Sequence, residues 1–165
     1  MTVVDASVVV AAHSPSEARH DLSAIWWKQT IADGCALCAP AFLLPEVASA
    51  VMRSTGDAAL VAQLVEQLRA GPVVLEPVTE SLSARAAEIA AAHGLRGCDA
   101  VYVALAERRG EDLVTFDRHQ LEQGATVVAT STPGDHGLAA QDEPDDADST
   151  GSPSPGTARD GARLG

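Results

Sequence analysis

Aromatic residues are scarce: two Trp, two Phe and one Tyr, 3% of a 165-residue chain. The core must therefore be assembled from Val, Leu, Ala and Ile, within a hydrophobic content of 46%. A chain of this length is expected to form one domain with a real core. No apolar run approaches the roughly 18 residues of a bilayer span. The start, "MTVVDASVVVAAH", lacks the basic segment of a signal peptide, and Asp5 breaks its apolar stretch. A cytoplasmic protein with no membrane attachment is expected. Three cysteines, an odd number, argue against a disulfide framework. Cys35 and Cys38 form a C-x-x-C, yet residues three apart on a strand point to opposite faces, and no second pair or nearby histidine completes a metal site. Buried structural thiols are expected there and at Cys98. There is no G-x-S-x-G elbow, and the five histidines are scattered, so no nucleophile–base triad stands out. His93 and His119 read as surface residues at helix or loop ends.

Positive charge is also sparse. Lys28 is the only lysine, and the formal net charge is −12, of which −7 falls in residues 1–132 and −5 in residues 133–165. A polyanionic substrate would need metal ions or a local arginine patch to bind such a chain. The last 33 residues are rich in Pro, Gly, Ser, Asp and Ala, with Leu138 and Leu164 as their only large aliphatics. Such a segment cannot bury enough apolar surface to offset its ordering entropy. Residues 1–132 are thus expected to fold, and 133–165 to form a disordered acidic tail.

What is present within 1–132 is an alternation of short β-rich runs and helical segments. "TVVDAS" reads as a strand ending at Asp5, followed by helical Val8–Ala12 and Glu17–Ala32. "ALCAP" reads as a strand, then helices over Leu43–Arg53 and Asp57–Arg69. "VVLEPV" is a strand, Glu80–His93 a helix ended by Gly94, and "LRGCDAVYVALAERR" a further helix. "DLVTFD" is a strand, 118–123 a short helix, and "ATVVAT" a last strand. Strands alternating with helices imply an α/β fold whose sheet is mostly parallel and covered on both faces.

In open α/β sheets, sites form beyond the carboxyl ends of the strands. That rule selects four acids. Asp5 ends the first strand, Glu46 sits in the first turn of the helix after "ALCAP", Asp99 heads its helix, and Asp117 lies just past "LVT". Each also has an ordinary reading. Asp99 and Asp117 can be helix caps, and Glu46 can complement a helix dipole. Asp5 is harder to explain so, because it interrupts "VVDASVVV", and an unpaired buried carboxylate is costly. No Lys or Arg precedes Arg19. Four convergent carboxylates repel one another, and a hard divalent cation such as Mg²⁺ or Mn²⁺ would relieve that cost through oxygen ligation. One or two such ions can activate water for phosphodiester cleavage and reverse the local charge for RNA. Ser7 and Thr115 could orient ligands from behind, or could simply cap backbone.

"VVDASVVV", "LLPEVASAV", "LRGCDAVYVALAE" and "LVTFD" together resemble, in order and spacing, the PIN-domain nucleases, most closely the VapC toxins of bacterial type II toxin–antitoxin pairs. The resemblance spans roughly residues 1–130. It implies a PIN fold, a central parallel sheet of about five strands flanked by helices. It implies Mg²⁺- or Mn²⁺-dependent endoribonuclease activity with Asp5, Glu46, Asp99 and Asp117 as the acidic quartet. It also implies a cognate antitoxin that occludes the acidic groove, and a homodimer. The acidic tail lies beyond the usual domain end and receives no role from it.

Two other readings stay open on the residues alone. A PIN-like nuclease of RNA maturation would look the same within the domain. A receiver-like acidic-pocket module would normally need a lysine near the late strands, and Lys28 lies on an early helix. For RNA contacts, Arg53, Arg69, Arg96, Arg108 and Arg109 are candidates, though helix ends in solvent are the commoner explanation for such residues, and Arg96 stands out because it precedes Asp99 by three residues.

Overall fold

The computed structural model describes residues 1–136. The short apolar runs form five strands: β1 (Thr2–Val4), β2 (Leu37–Pro40), β3 (Val73–Glu76), β4 (Leu113–Val114) and β5 (Thr130–Ser131). They lie in the order β3-β2-β1-β4-β5, and every pairing is parallel. Val3 is in register with Cys38 on one side and Leu113 on the other. A parallel sheet is covered on both faces, so its central strands read as continuous apolar runs. Accordingly Val3, Val4, Leu37, Cys38, Ala39, Leu113 and Val114 are fully buried.

Seven helices connect the strands: α1 (Ala6–His13), α2 (His20–Ala32), α3 (Leu43–Thr55), α4 (Ala58–Ala70), α5 (Glu80–His93), α6 (Gly97–Arg109) and α7 (Arg118–Gln123). The crossovers from β1 to β2 and from β2 to β3 step one way across the sheet, and that from β3 to β4 returns past β1. Because such crossovers are right-handed, α1–α4 cover one face and α5 and α6 the other. The packing agrees: α1 lies against α2 and α3, while α6 lies against β1, β2 and β4 with α5 on its outer side. The whole run Ala100–Ala106 of α6 is buried, which explains its apolar sequence.

Several boundaries move for local reasons. Asp5 caps α1, so the first helix starts at Ala6 and not at Val8. Residues 15–19 turn instead of continuing as helix, and α2 begins at His20. The expected strand "ATVVAT" is displaced. Gly124–Thr126 form a 3-10 turn in which the Val127 and Val128 amides donate to Gly124, so pairing with β4 waits until Thr130 and Ser131. The described chain also continues past residue 132. Pro133–Asp135 make a second 3-10 turn packed on α2, and His136 sits 6.0 Å from Trp26 between ring centroids. The remainder of the expected tail, from residue 137, lies outside the described residues.

The strand order creates a crevice. From β1 the chain leaves toward β2, whereas from its neighbour β4 it leaves toward β5. Between the carboxyl ends of those two strands the connections diverge, which is where α/β sheets bind ligands.

Candidate active site

Asp5 and Asp117 follow the two strands that bound this crevice, and both are helix caps. Asp5 Oδ1 accepts from the Ser7 amide at 2.8 Å at the start of α1, and Asp117 Oδ1 accepts from the Gln120 amide at 3.0 Å at the start of α7. Asp99, in contrast, caps nothing. The cap of α6 is Arg96, and Asp99 sits three residues on, within the first turn. Glu46 occupies the first turn of α3. All four acids thus stand at helix N-termini, whose partial positive charge offsets part of their mutual repulsion.

They line one groove of about 820 Å³, which runs between α1 and α3 and is closed by the segments around Arg19, Arg96 and Phe116. α1 presents Ala6, Ser7, Val10 and Ala11 to it, and α3 presents Glu46, Ser49, Ala50 and Arg53, both at helical spacing. Small residues at these positions keep the groove open.

Three further side chains hold the acids. The Tyr102 hydroxyl, one turn beyond Asp99 on α6 and buried, donates to Glu46 Oε2 at 2.6 Å. Gln120 is wholly buried, and its Nε2 donates to Asp5 Oδ2 at 3.3 Å. Arg96, exposed over most of its length, places Nε 3.5 Å from Asp99 Oδ2 and Nη2 3.9 Å from Asp117 Oδ2. Ser7 and Thr115 secure the loop after β4. Ser7 Oγ accepts from the Phe116 amide at 3.0 Å, and the buried Thr115 Oγ1 accepts from the Asp117 amide at 2.9 Å.

The charges remain under-compensated. Asp99 Oδ2 is buried and takes no hydrogen bond from any described residue. Burial first, and then the neighbouring Asp117, pushes the Asp99 carboxyl above the usual aspartate range, against the pull of Arg96. Burial likewise raises Glu46, with Asp5 and Asp99 adding to it and the Tyr102 hydrogen bond opposing. Among the described residues, no group of three or more His, Cys, Asp or Glu side chains is arranged to hold a metal ion as it stands.

With this geometry in view, similarity to known proteins is informative. The family model described as "PIN domain" matches residues 2–125. The chain belongs to the PIN-domain family. No curated protein matches it significantly in sequence. Among solved structures, VapC20 of Mycobacterium tuberculosis, described as a sarcin–ricin loop cleaving toxin, is 24% identical with a TM-score of 0.63, over 78% of this chain and 97% of that one. FitAcB from Neisseria gonorrhoeae is 20% identical with a TM-score of 0.60, over 81% and 99%. A toxin–antitoxin complex from Klebsiella pneumoniae is 13% identical with a TM-score of 0.60, over 81% and 98%. These likenesses establish the PIN fold, an all-parallel five-stranded sheet flanked by helices, as the motifs led us to expect.

Other expectations for this PIN domain need correction. Of the three thiols, only Cys38 is buried; Cys35 and Cys98 are exposed, because Cys35 precedes β2 and Cys98 lies in the open first turn of α6. Of the candidate arginines, Arg53 and Arg96 line the groove, while Arg69 pairs with Glu66 and both Arg108 and Arg109 with Glu76. Arg19, not among them, also lines it. Tyr102 and Gln120 were not anticipated as partners of the acids. A signal for Gln120 exists: it stands three residues after the cap Asp117, the capping-box position. Here Thr115 already serves the cap amide, which leaves the Gln120 side chain for Asp5. No helix among the described residues is long and apolar enough to cross a membrane.

Proposed function

We propose that this PIN domain is a divalent-cation-dependent endoribonuclease and the toxin of a toxin–antitoxin pair, acting in the cytoplasm. The observation that carries the reading is the groove in which Asp5, Glu46, Asp99 and Asp117 meet, with a buried Asp99 oxygen that faces Arg96 at 3.5 Å but accepts no hydrogen bond among the described residues. The donor set fits a hard cation: carboxylate oxygens only, at the carboxyl edge of the sheet, with a net negative excess. Asp5, Asp99 and Asp117 would hold Mg²⁺ or Mn²⁺, with Glu46 as the fourth carboxylate; small side-chain rotations would be needed to bring them onto one ion. When bound, such an ion supplies an activated water and charge stabilisation at the phosphodiester.

The protein's own side chains do the positioning. Gln120 ties Asp5 to the start of α7, so the carboxylates after β1 and β4 move as one unit. Tyr102 fixes one oxygen of Glu46 and leaves the other without a protein hydrogen bond among the described residues. Ser7 and Thr115 hold the loop that carries Asp117. Arg53 and Arg96 on the groove wall offer positive charge to a phosphate chain that the acids alone would repel. The Klebsiella structure is a toxin–antitoxin complex by its description, which supports a protein antitoxin as partner. Exposed Met52 on α3 and Leu60 on α4 provide apolar surface for that antitoxin or for a homodimer.

The test is cleavage of RNA by the purified chain with Mg²⁺, with Mn²⁺ and with EDTA, beside Asp5→Asn and Asp99→Asn. Loss of at least about 100-fold in rate is expected for each variant, the scale on which one preorganised charge acts, and EDTA should abolish cleavage. Undiminished cleavage by Asp99→Asn, or in EDTA, would overturn the four-carboxylate assignment.

A further inference from the structure

Of the chain's five aromatic side chains, Trp26, Trp27 and Tyr102 are buried, and Phe42 and Phe116 are half-buried against the core. Trp27 lies edge-on to His13, and Tyr102 edge-on to Phe42. Phe116 lines the acidic groove directly beside Asp117. Its backbone is pinned by the Ser7 hydroxyl, so the ring is presented by a fixed loop. Over that ring lies the guanidinium of Arg19, with Cζ 4.5 Å from the ring centroid. Arg19 is exposed and makes no ion pair with any described residue, although Glu17 lines the same groove. An arginine that forgoes an acid and rests on an aromatic ring keeps its donors and its outer face available.

The geometry points to a nucleobase-stacking platform formed by Arg19 and Phe116, which seats one base of a single-stranded RNA next to the acidic quartet. This rests on the ribonuclease reading above and adds the substrate contact to it. Unpaired RNA bases are held chiefly by stacking on aromatic rings or guanidinium planes, a contact that tolerates any base and works where net charge is unfavourable. A groove floored with carboxylates needs such a contact, because attraction to phosphate alone is weak there. Placed beside Asp117, the platform fixes the phosphodiester adjoining the stacked base against the acids.

The experiment compares binding of two labelled strands of equal length, a mixed-sequence single-stranded RNA and a fully abasic ribose-phosphate strand, by fluorescence anisotropy in EDTA. RNA cleavage with Mg²⁺ is followed in parallel. The full chain is expected to prefer the base-bearing strand by about 10-fold or more, as loss of a single stacked base implies. Phe116→Leu, which keeps apolar bulk, and Arg19→Lys, which keeps charge but not the plane, should each erase most of that preference, and Phe116→Trp should retain it. An equal preference in wild type, Phe116→Leu and Arg19→Lys would overturn the platform, even if cleavage persists. Platform behaviour without cleavage would overturn only the ribonuclease reading. Neither binding nor cleavage of RNA would overturn both.

Discussion

At its C-terminal end, α6 carries Glu107, Arg108 and Arg109, and each finds an opposite charge. Glu107 accepts from Arg85 at 2.7 and 2.8 Å, and both arginines lie on Glu76. At the other end of the same helix, Asp99 has a buried oxygen without a hydrogen bond among the described residues, shares its groove with Asp5, Glu46 and Asp117, and has one exposed arginine within 4.0 Å. Arg85 holds the Glu107 carboxyl below the usual glutamate range, whereas burial and Asp117 hold Asp99 above that of aspartate. One end is satisfied in place; the other leaves carboxylates under-compensated, as the proposed cation site would require. Between them the buried run Ala100–Ala106 locks the helix against β1, β2 and β4, so the unfavourable end cannot relax away.

Removing that lock should have the largest effect. Leu105 is wholly buried, so Leu105→Ala is expected to cost about 3 kcal/mol in urea unfolding, from lost transfer energy and the cavity left behind. A cost below about 1 kcal/mol would show that the helix is not the rigid element that this contrast requires.

Asp99→Asn should do the reverse and raise the melting temperature at pH 7 by a few degrees, the response of such a domain to about 1 kcal/mol. The sign follows from linkage. A carboxyl raised in the folded state gives its full contribution below the unfolded value, here the ordinary 3.8, and loses it as pH rises through the folded value. The variant and wild type should therefore converge near pH 3 and separate above it. Added Mg²⁺ or Mn²⁺ should stabilise the wild type and not the variant. A variant less stable than wild type at pH 7 without metal would contradict the repulsion argument.

Arg96→Ala sharpens the comparison by removing the only cation that the acidic end possesses within ion-pair reach among the described residues. Without metal the melting temperature should fall slightly, since Asp99 and Asp117 lose their shared counter-charge. With metal, the concentration of Mn²⁺ giving half the thermal shift should drop, because the ion no longer competes with a guanidinium. An unchanged Mn²⁺ dependence would mean that Arg96 does not stand where the cation goes.

The acidic end was legible in sequence to the extent that local pattern records it. Asp5 interrupts an apolar run, and the carboxyl-edge rule placed Glu46, Asp99 and Asp117 beside it. What the pattern could not show was the division of labour. Asp99 looked like the cap and is not; Asp5 and Asp117 are caps as well as candidate ligands, because a cap at a strand's end aims both ways. Tyr102 and Gln120 reach acids 56 and 115 residues away, contacts that only the strand order β3-β2-β1-β4-β5 creates. The last strand was misplaced for a related reason: Val127 and Val128 have strand propensity, but the turn begun at Gly124 uses their amides first.

The smallest expected effect lies at the satisfied end. Glu107→Gln removes the charge that Arg85 grips, but both side chains are substantially exposed, and exposed pairs contribute little to stability. The direction is nevertheless fixed. A carboxyl lowered in the folded state stabilises above the unfolded value, ordinarily 4.5, and that contribution is lost as pH falls through the folded value. Glu107→Gln should thus melt slightly lower than wild type at pH 7 and coincide with it at pH 3, while Asp99→Asn melts higher at pH 7 and also coincides at pH 3. Thermal melts of both variants across that range decide the matter: shifts of the same sign would mean that the two ends of α6 do not differ in the way their charge environments require.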